Sequence, residues 1–260
     1  MIASSYSAPL LATQGLTKSF GSLVALKDYE FSVQRGEIVG VIGPNGSGKS
    51  TFFNLVTGFQ RADQGEVLFS GMPIMHRSAV EIVRLGIART FQGSRLFPAL
   101  SVAENVRAAA ELRHRTNMLD ALFDTPRRVR AEREVEAMTG ELLDLVRLGR
   151  RRNDRARDLP YGDQRRLELV RALATRPQLL MLDEPAAGMD ASETRSLLRL
   201  IDDIRRRYDL AVIVVEHDMD LIMNLCERIQ VLAHGSRIFE GTPAEVQASP
   251  RVREVYLGHA

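Results

Sequence analysis

Dense apolar runs in this chain alternate with stretches whose apolar positions recur at helical spacing. "EIVGVIG" (37–43) is a β-branched run that ends in glycine, which predicts a buried strand closed by a turn. "EVLFSG" (66–71) predicts a second strand, after the turn "ADQG". "QLLMLDE" (178–184) and "LAVIVVEHD" (210–218) predict two more, each apolar through its length and acidic at its end. Between them Leu197, Leu200, Ile201 and Ile204 keep helical spacing, with Asp190 placed to cap that helix. "SAVE" (78–81), "SVAE" (101–104) and "GTPAE" (241–245) carry the capping-box pattern and should open helices, the last with proline at the first helical position. "IQVLAHGSRIFEG" (229–241) predicts a closing hairpin that turns at "HGS". Strands alternating with helices predict an α/β chain of βαβ units around a mostly parallel sheet.

Residues from about 97 to 160 break this rhythm. They are rich in Arg, Glu, Ala and Leu and hold no good strand, so an inserted α-helical subdomain is expected there. At its far end lies "RLGRRRNDRARD" (147–158), which reads either as a solvated loop or as a docking patch for an acidic partner. The whole chain gives no global case for a nucleic-acid binder, because 35 basic and 33 acidic residues leave a net charge of only +2. Its 260 residues, 45% of them hydrophobic, suffice for one large α/β domain or one domain with an insert. The single cysteine, Cys226, excludes an intrachain disulfide, fits a reducing compartment and is expected as a small buried apolar residue. "MIASSYSAPLLATQG" lacks the basic region and long apolar run of a signal peptide. The longest apolar run, "LAVIVV" (210–215), is far below the ~20 residues that span a bilayer.

Candidate chemistry begins at "GPNGSGKS" (43–50), which matches G-x-x-x-x-G-K-[ST] with a strand before it and a helix, "KSTFFNLVTG", after it. Its glycines let Gly43, Pro44, Asn45, Gly46, Ser47 and Gly48 wrap backbone N–H groups around phosphates, and the helix N-terminus adds positive potential. Lys49 would reach the β- and γ-phosphates, the Ser50 hydroxyl would ligate Mg²⁺, and Thr51 is a further phosphate donor. ATP and Mg²⁺ are the expected cofactors.

Four further positions gain meaning from that loop. Asp183 and Glu184 end a buried strand, at the sheet edge where ligands of parallel sheets bind. One acid there can hold Mg²⁺ and the other can orient or deprotonate a water; the bland alternative is a pair of carboxylates capping the next turn. His217 ends a strand expected to adjoin the first and so can meet a γ-phosphate, where a lone strand-end histidine is otherwise structural. Gln92, in "ARTFQG", is polar at the boundary between core and helical insert. "LPYGDQRRLELVRAL" (159–173) stays ambiguous from its residues: a plain helix cap, a basic nucleic-acid surface, or half of a phosphate site.

Taken in order, the loop at 43–51, Gln92, the turn at 159–164, "LLMLDEP", Asp190 and His217 resemble the motifs of ATP-binding cassette (ABC) ATPases. The resemblance runs from "LTKSFGSLVAL" to the last helix. "GIARTFQGSRLFPALSVAENV", "YGDQRRLELVRAL", "LDEPAAGMD", "EHDMDLIMNLCERIQVL", the insert "TNMLDALFDTPRRVRAER" and the tail "GTPAEVQASPRVREVYLG" are similar to the G-type ATPase subunit of branched-chain amino-acid importers. Urea/amide and lipopolysaccharide transport ATPases are close alternatives, and a non-transport ABC ATPase acting on nucleic acid or ribosomes is a third; a small-molecule kinase is the rival outside the family.

The resemblance implies a core of ABC type with a mixed sheet, an N-terminal antiparallel β subdomain and the inserted helices. The expected division of the single domain 1–260 is core over 9–95 and 160–241, helical subdomain over 97–160 and helical tail over 242–260. It further implies that Phe20 stacks on adenine, where a core Phe is the bland reading. Gln92 would sense Mg²⁺ and the attacking water, Glu184 would act as base, His217 would contact the γ-phosphate, and Asp190 would sit in a dimer-contact loop. Mg²⁺ would then be held by Ser50, Gln92 and Asp183. Two cassettes, copies or paralogues, would dimerise head to tail, so that Tyr161, Gly162 and Asp163 of one face the ATP of the other. The implied partners are membrane-spanning permease subunits and, indirectly, a substrate-binding protein, with no nucleic acid, and the implied place is the cytoplasmic face of the inner or plasma membrane. The turn departs from the general L-S-G-G-Q pattern at Pro160, which lacks a hydroxyl and an N–H, and at Asp163, an acid beside phosphate.

Overall fold

A computed structural model describes residues 8–93, 95–113 and 126–257. Part of the insert "TNMLDALFDTPRRVRAER" and the last residues of the tail lie outside the described residues. The chain runs β1 Leu11–Phe20, β2 Leu23–Val33, β3 Ile38–Ile42, α1 Lys49–Val56, β4 Gln64–Phe69, β5 Met72–Pro73, α2 Ala79–Leu85 and β6 Ile87–Arg89. There follow α3 Val102–Ala110, α4 Pro126–Leu145, α5 Tyr161–Leu173, β7 Leu179–Asp183, α6 Ala191–Tyr208, β8 Ala211–Val215, α7 Met219–Leu225, β9 Arg228–Ala233, β10 Ser236–Gly241, α8 Pro243–Ala248 and α9 Pro250–Leu257.

Two sheets carry the molecule. One is antiparallel, in the order β2-β1-β4-β5; the other has the order β10-β9-β3-β8-β7-β6 and is parallel except for the β9–β10 hairpin. The apolar runs are continuous because both faces of this second sheet are covered. Alternation divides them between two cores: Ile38, Ile42, Leu180, Leu182, Val212 and Val214 face one, while Val39, Val41, Leu179, Met181, Ile213 and Val215 face the other. The first core takes in α3, α5 and α6. The second packs Phe52 and Phe53 of α1 against Tyr29 and Phe31 of the antiparallel sheet, with Tyr29 Oη donating to Gln230 Oε1 at 2.7 Å.

Local signals hold where their chemistry is self-contained. Ser78, Ser101, Asp190 and Thr242 each close a complete capping box. The strand expected over 66–71 begins at Gln64 instead, because Thr17 pairs with Gln64 and draws the turn into the sheet. Among the described residues the 97–160 span holds α3, α4 and short 3₁₀ turns, with a β-bridge between Ser101 and Arg155. The basic run is a folded connection in which Leu148 and Ala156 are buried and Asp154 O and Arg152 O accept from the N–H groups that open α3. Arg152 pairs with Glu136 of α4, and Arg151 lies 3.8 Å from Asp163. No described helix is long and apolar enough to cross a membrane.

Candidate functional site

Strand register brings the site together. Val41 pairs with Val215 and Val215 with Asp183, so β3, β8 and β7 end side by side at one edge of the sheet. The chain leaves β3 at Gly43, where an added Cβ would stand 2.1 Å from the Leu232 carbonyl oxygen and 2.7 Å from Ser47 Oγ. Only glycine lets the loop pass. At Gly48 a Cβ would meet Ala25 O at 2.5 Å, whereas Gly46, at φ 78°, faces open space. Among the described residues no side chain caps α1, which leaves the N–H groups of the helix terminus without a side-chain acceptor. Lys49 is buried and folds back over the loop, donating from Nζ to Gly43 O at 2.6 Å and to Pro44 O at 3.0 Å. Burial pulls its ammonium below the ordinary lysine range, and the Glu184 and Asp183 carboxylates oppose that shift.

Beside the loop stand the two acids, in different surroundings. Asp183 is buried and its Oδ2 accepts from Arg89 at 2.7 Å. Glu184, the next residue, adopts φ 48° and donates its N–H to Val215 O at 2.8 Å, which turns the backbone off the strand. A non-glycine residue in the left-handed region is strained by ~1–3 kcal/mol and is concentrated at functional sites. Its carboxylate is held from two sides, with Oε1 2.6 Å from His217 Nε2 and Oε2 accepting from Gln92 Nε2 at 2.9 Å. Loops after β6, β7 and β8 thus meet on one carboxylate.

Glu216 supports this arrangement, and motif reading passed over it. Its buried carboxylate accepts from the Ala186 and His217 N–H groups at 2.9 and 3.1 Å, pinning the loop after Glu184 to the segment that carries His217. Desolvation holds its carboxyl above the usual range. The available sequence signal was an acid closing an otherwise apolar strand, and Arg89, ending the short strand before Gln92, gave a similar one.

The remaining positions lie on other elements. Phe20 ends β1 and is 45% exposed, so it is a surface aromatic, with Lys18 Nζ 5.4 Å from its ring centroid. Ser50 and Thr51 open α1. Tyr161, Gly162 and Asp163 form the first turn of α5 behind Pro160. The Tyr161 hydroxyl donates to Ala187 O at 2.7 Å, and its ring packs on Gly188. Asp163 lies 3.5 Å from Arg166, and Arg165 is buried against Glu168 at 3.0 Å, beneath the Tyr161 ring. The arginines of this stretch are therefore engaged within the molecule.

Residues 26–187 match the family model described as ABC transporter, and residues 236–260 match one described as branched-chain amino acid ATP-binding cassette transporter. Over 254 residues, 98% of the chain and all of the relative, it is 41% identical to the high-affinity branched-chain amino acid transport ATP-binding protein BraF of Pseudomonas aeruginosa. It is 39% identical over the same length to LivG of Escherichia coli, of the same description. Among solved structures it is similar to the ADP conformation of an ABC transporter cassette, with TM-score 0.84 and 30% identity over 97% of this chain and all of that one. A dimeric bacterial ABC transporter cassette matches with TM-score 0.76 and 26% identity over 90% of this chain and 98% of the other.

Proposed function

The chain belongs to the ABC transporter family of ATP-binding cassettes, and on that premise we propose that it is the ATP-hydrolysing subunit that energises a branched-chain amino-acid importer. The observation that carries the chemistry is the Glu184 carboxylate, held between Gln92 and His217 beside a glycine-rich loop and its lysine. The substrate class rests on the full-length similarity to BraF and LivG and on the match at the tail.

In this reading the loop from Gly43 to Thr51 holds the phosphates, and Phe20 offers its exposed ring to the adenine. Lys49 gives up its backbone carbonyl partners for phosphate oxygens. The Ser50 hydroxyl, the Gln92 amide and the Asp183 carboxylate are hard oxygen donors of the kind that suits Mg²⁺. Bound there, Mg²⁺ would neutralise charge on the β- and γ-phosphates. Glu184 accepts the proton of the attacking water, Gln92 orients that water, and His217 donates to the γ-phosphate. Catalysis is then mostly positioning and fixed charge.

The site is open toward a second cassette, whose Tyr161, Gly162 and Asp163 turn would close it, and the dimeric structural relative supports that arrangement. The segment after Gln92 joins the core to α3 and presents exposed Phe97, with Arg171 stacked on its ring, as a contact for a membrane-embedded permease. The protein then works peripherally at the cytoplasmic membrane face. Purification of the tagged protein from mild-detergent membranes should recover permease subunits and a second cassette. Addition of leucine, isoleucine or valine with the cognate binding protein should stimulate ATPase activity. Stimulation by urea or an amide alone would overturn the substrate class, and salt-sensitive RNA binding without permeases would overturn the transport role.

A further inference from the structure

We infer that Arg89 is a positioning residue that locks together the three elements carrying the Mg²⁺ donors. Its guanidinium reaches each of them. NH2 donates to Asp183 Oδ2 at 2.7 Å on β7. NH1 donates to Asn54 Oδ1 at 2.7 Å and lies 3.4 Å from Thr57 Oγ1, both at the end of α1. Asn54 is four residues after Ser50, on the same face of that helix. Arg89 itself is the last residue of β6, three before Gln92, and the neighbouring Thr90 accepts from the Asp183 N–H at 3.2 Å. One buried cation therefore touches the helix of Ser50, the strand of Asp183 and the segment of Gln92.

The surroundings fix it in place. The Arg89 and Asp183 side chains are 7% and 8% exposed. The guanidinium carbon lies 5.2 Å from the Phe53 ring centroid and 4.9 Å from that of Phe91, so aromatic rings flank the planar cation. Its Nε is buried without a hydrogen-bond partner among the described residues. That cost is tolerated while the two terminal nitrogens hold Asn54 and Asp183. A lysine would present one compact nitrogen in place of the planar fork whose two ends meet Asn54 and Asp183.

The inference rests on the reading of Asp183 as a metal-side carboxylate, and the test separates the two. Binding of Mn²⁺ to the ATP-loaded protein is measured by electron-spin resonance, and binding of a fluorescent ATP analogue is measured in EDTA. Arg89→Met should weaken Mn²⁺ binding ~10- to 100-fold, the usual effect of removing a support behind a metal ligand. Nucleotide binding in EDTA should stay at the wild-type level. Arg89→Lys should recover part of the loss. Asn54→Leu, which removes one anchor and leaves the ion pair, should weaken Mn²⁺ binding less and in the same direction, and it carries the test if Arg89→Met fails to fold. Unchanged or tighter Mn²⁺ binding in folded Arg89→Met or in Asn54→Leu overturns the inference. Wild-type Mn²⁺ binding in Asp183→Asn instead overturns the reading of Asp183.

Discussion

Glu184 Oε1 lies 2.6 Å from His217 Nε2, although 33 residues separate the two in the chain. The contact exists because β7 and β8 are parallel neighbours in register, Asp183 opposite Val215. The left-handed backbone at Glu184 then turns its carboxylate toward the next loop. A carboxylate held in this way has its orientation settled before any ligand arrives, as the proposed base role requires.

Glu184→Gln tests that role directly. The amide fills the same space and can still meet Gln92 and His217, but it takes no proton. ATP binding should persist while turnover falls at least ~100-fold, the lower end of what a positioned base contributes. Wild-type-like hydrolysis in a single-turnover assay would remove Glu184 from the base role.

Gly43→Ala addresses the loop's passage past β9. The new Cβ would stand 2.1 Å from Leu232 O, a backbone atom that cannot rotate away. Stability should fall by about 3 kcal/mol, as for other forced overpacking, and nucleotide affinity should fall with it. Thermal unfolding and equilibrium ATP binding read both effects.

Tyr161→Phe deletes only the hydroxyl that donates to Ala187 O. A neutral hydrogen bond of this kind is worth ~1 kcal/mol. The expected result is that small destabilisation, together with slower hydrolysis in the assembled transporter, because the turn and the loop after Glu184 are no longer tied. An unchanged rate would reduce the contact to a packing detail.

Pro160→Ser with Asp163→Gln restores the residues usual in this turn. In the structure Asp163 sits in the first turn of α5, where the helix dipole favours an acid, and lies near Arg166 and Arg151. Removing it should cost ~0.3–1 kcal/mol of stability. Basal hydrolysis should rise if the acid and the missing hydroxyl weaken the site, and a constant rate would mean that backbone N–H groups and the helix terminus suffice.

Cys226 should be inert in the folded protein. Burial pushes its thiol up to about 12, so at pH 8 only on the order of one molecule in ten thousand carries the thiolate. Iodoacetamide should label it after denaturation and not before. Since the folded value lies above the free-thiol value of 9.0, its contribution to stability is intact below that pH and is lost as pH rises toward 12.

Legibility in the sequence followed the range of the forces involved. The runs that became β3, β7 and β8 were plain because both faces are buried, and the capping boxes because donor and acceptor lie three residues apart. β1 and β2 were expected only through the family resemblance. Their burial is irregular and their pairing is interrupted by register shifts, which blur the period of two. Asp183 was legible as a strand-end acid, but its partner Arg89 stands 94 residues away, and although Arg89 also ends a strand, nothing local paired the two.

By itself the sequence determined the glycine-rich loop after β3, since strand, glycines, lysine and helix are contiguous and each obeys local backbone chemistry. It also determined which strands end in acids or histidine. Only the tertiary structure decided which of those ends meet. Strand order places β8 between β3 and β7, and register brings their ends to one edge, so Glu184 faces His217 and Gln92 while Asp183 faces Arg89. Such meetings depend on how crossovers pack, and that is a property of the whole core.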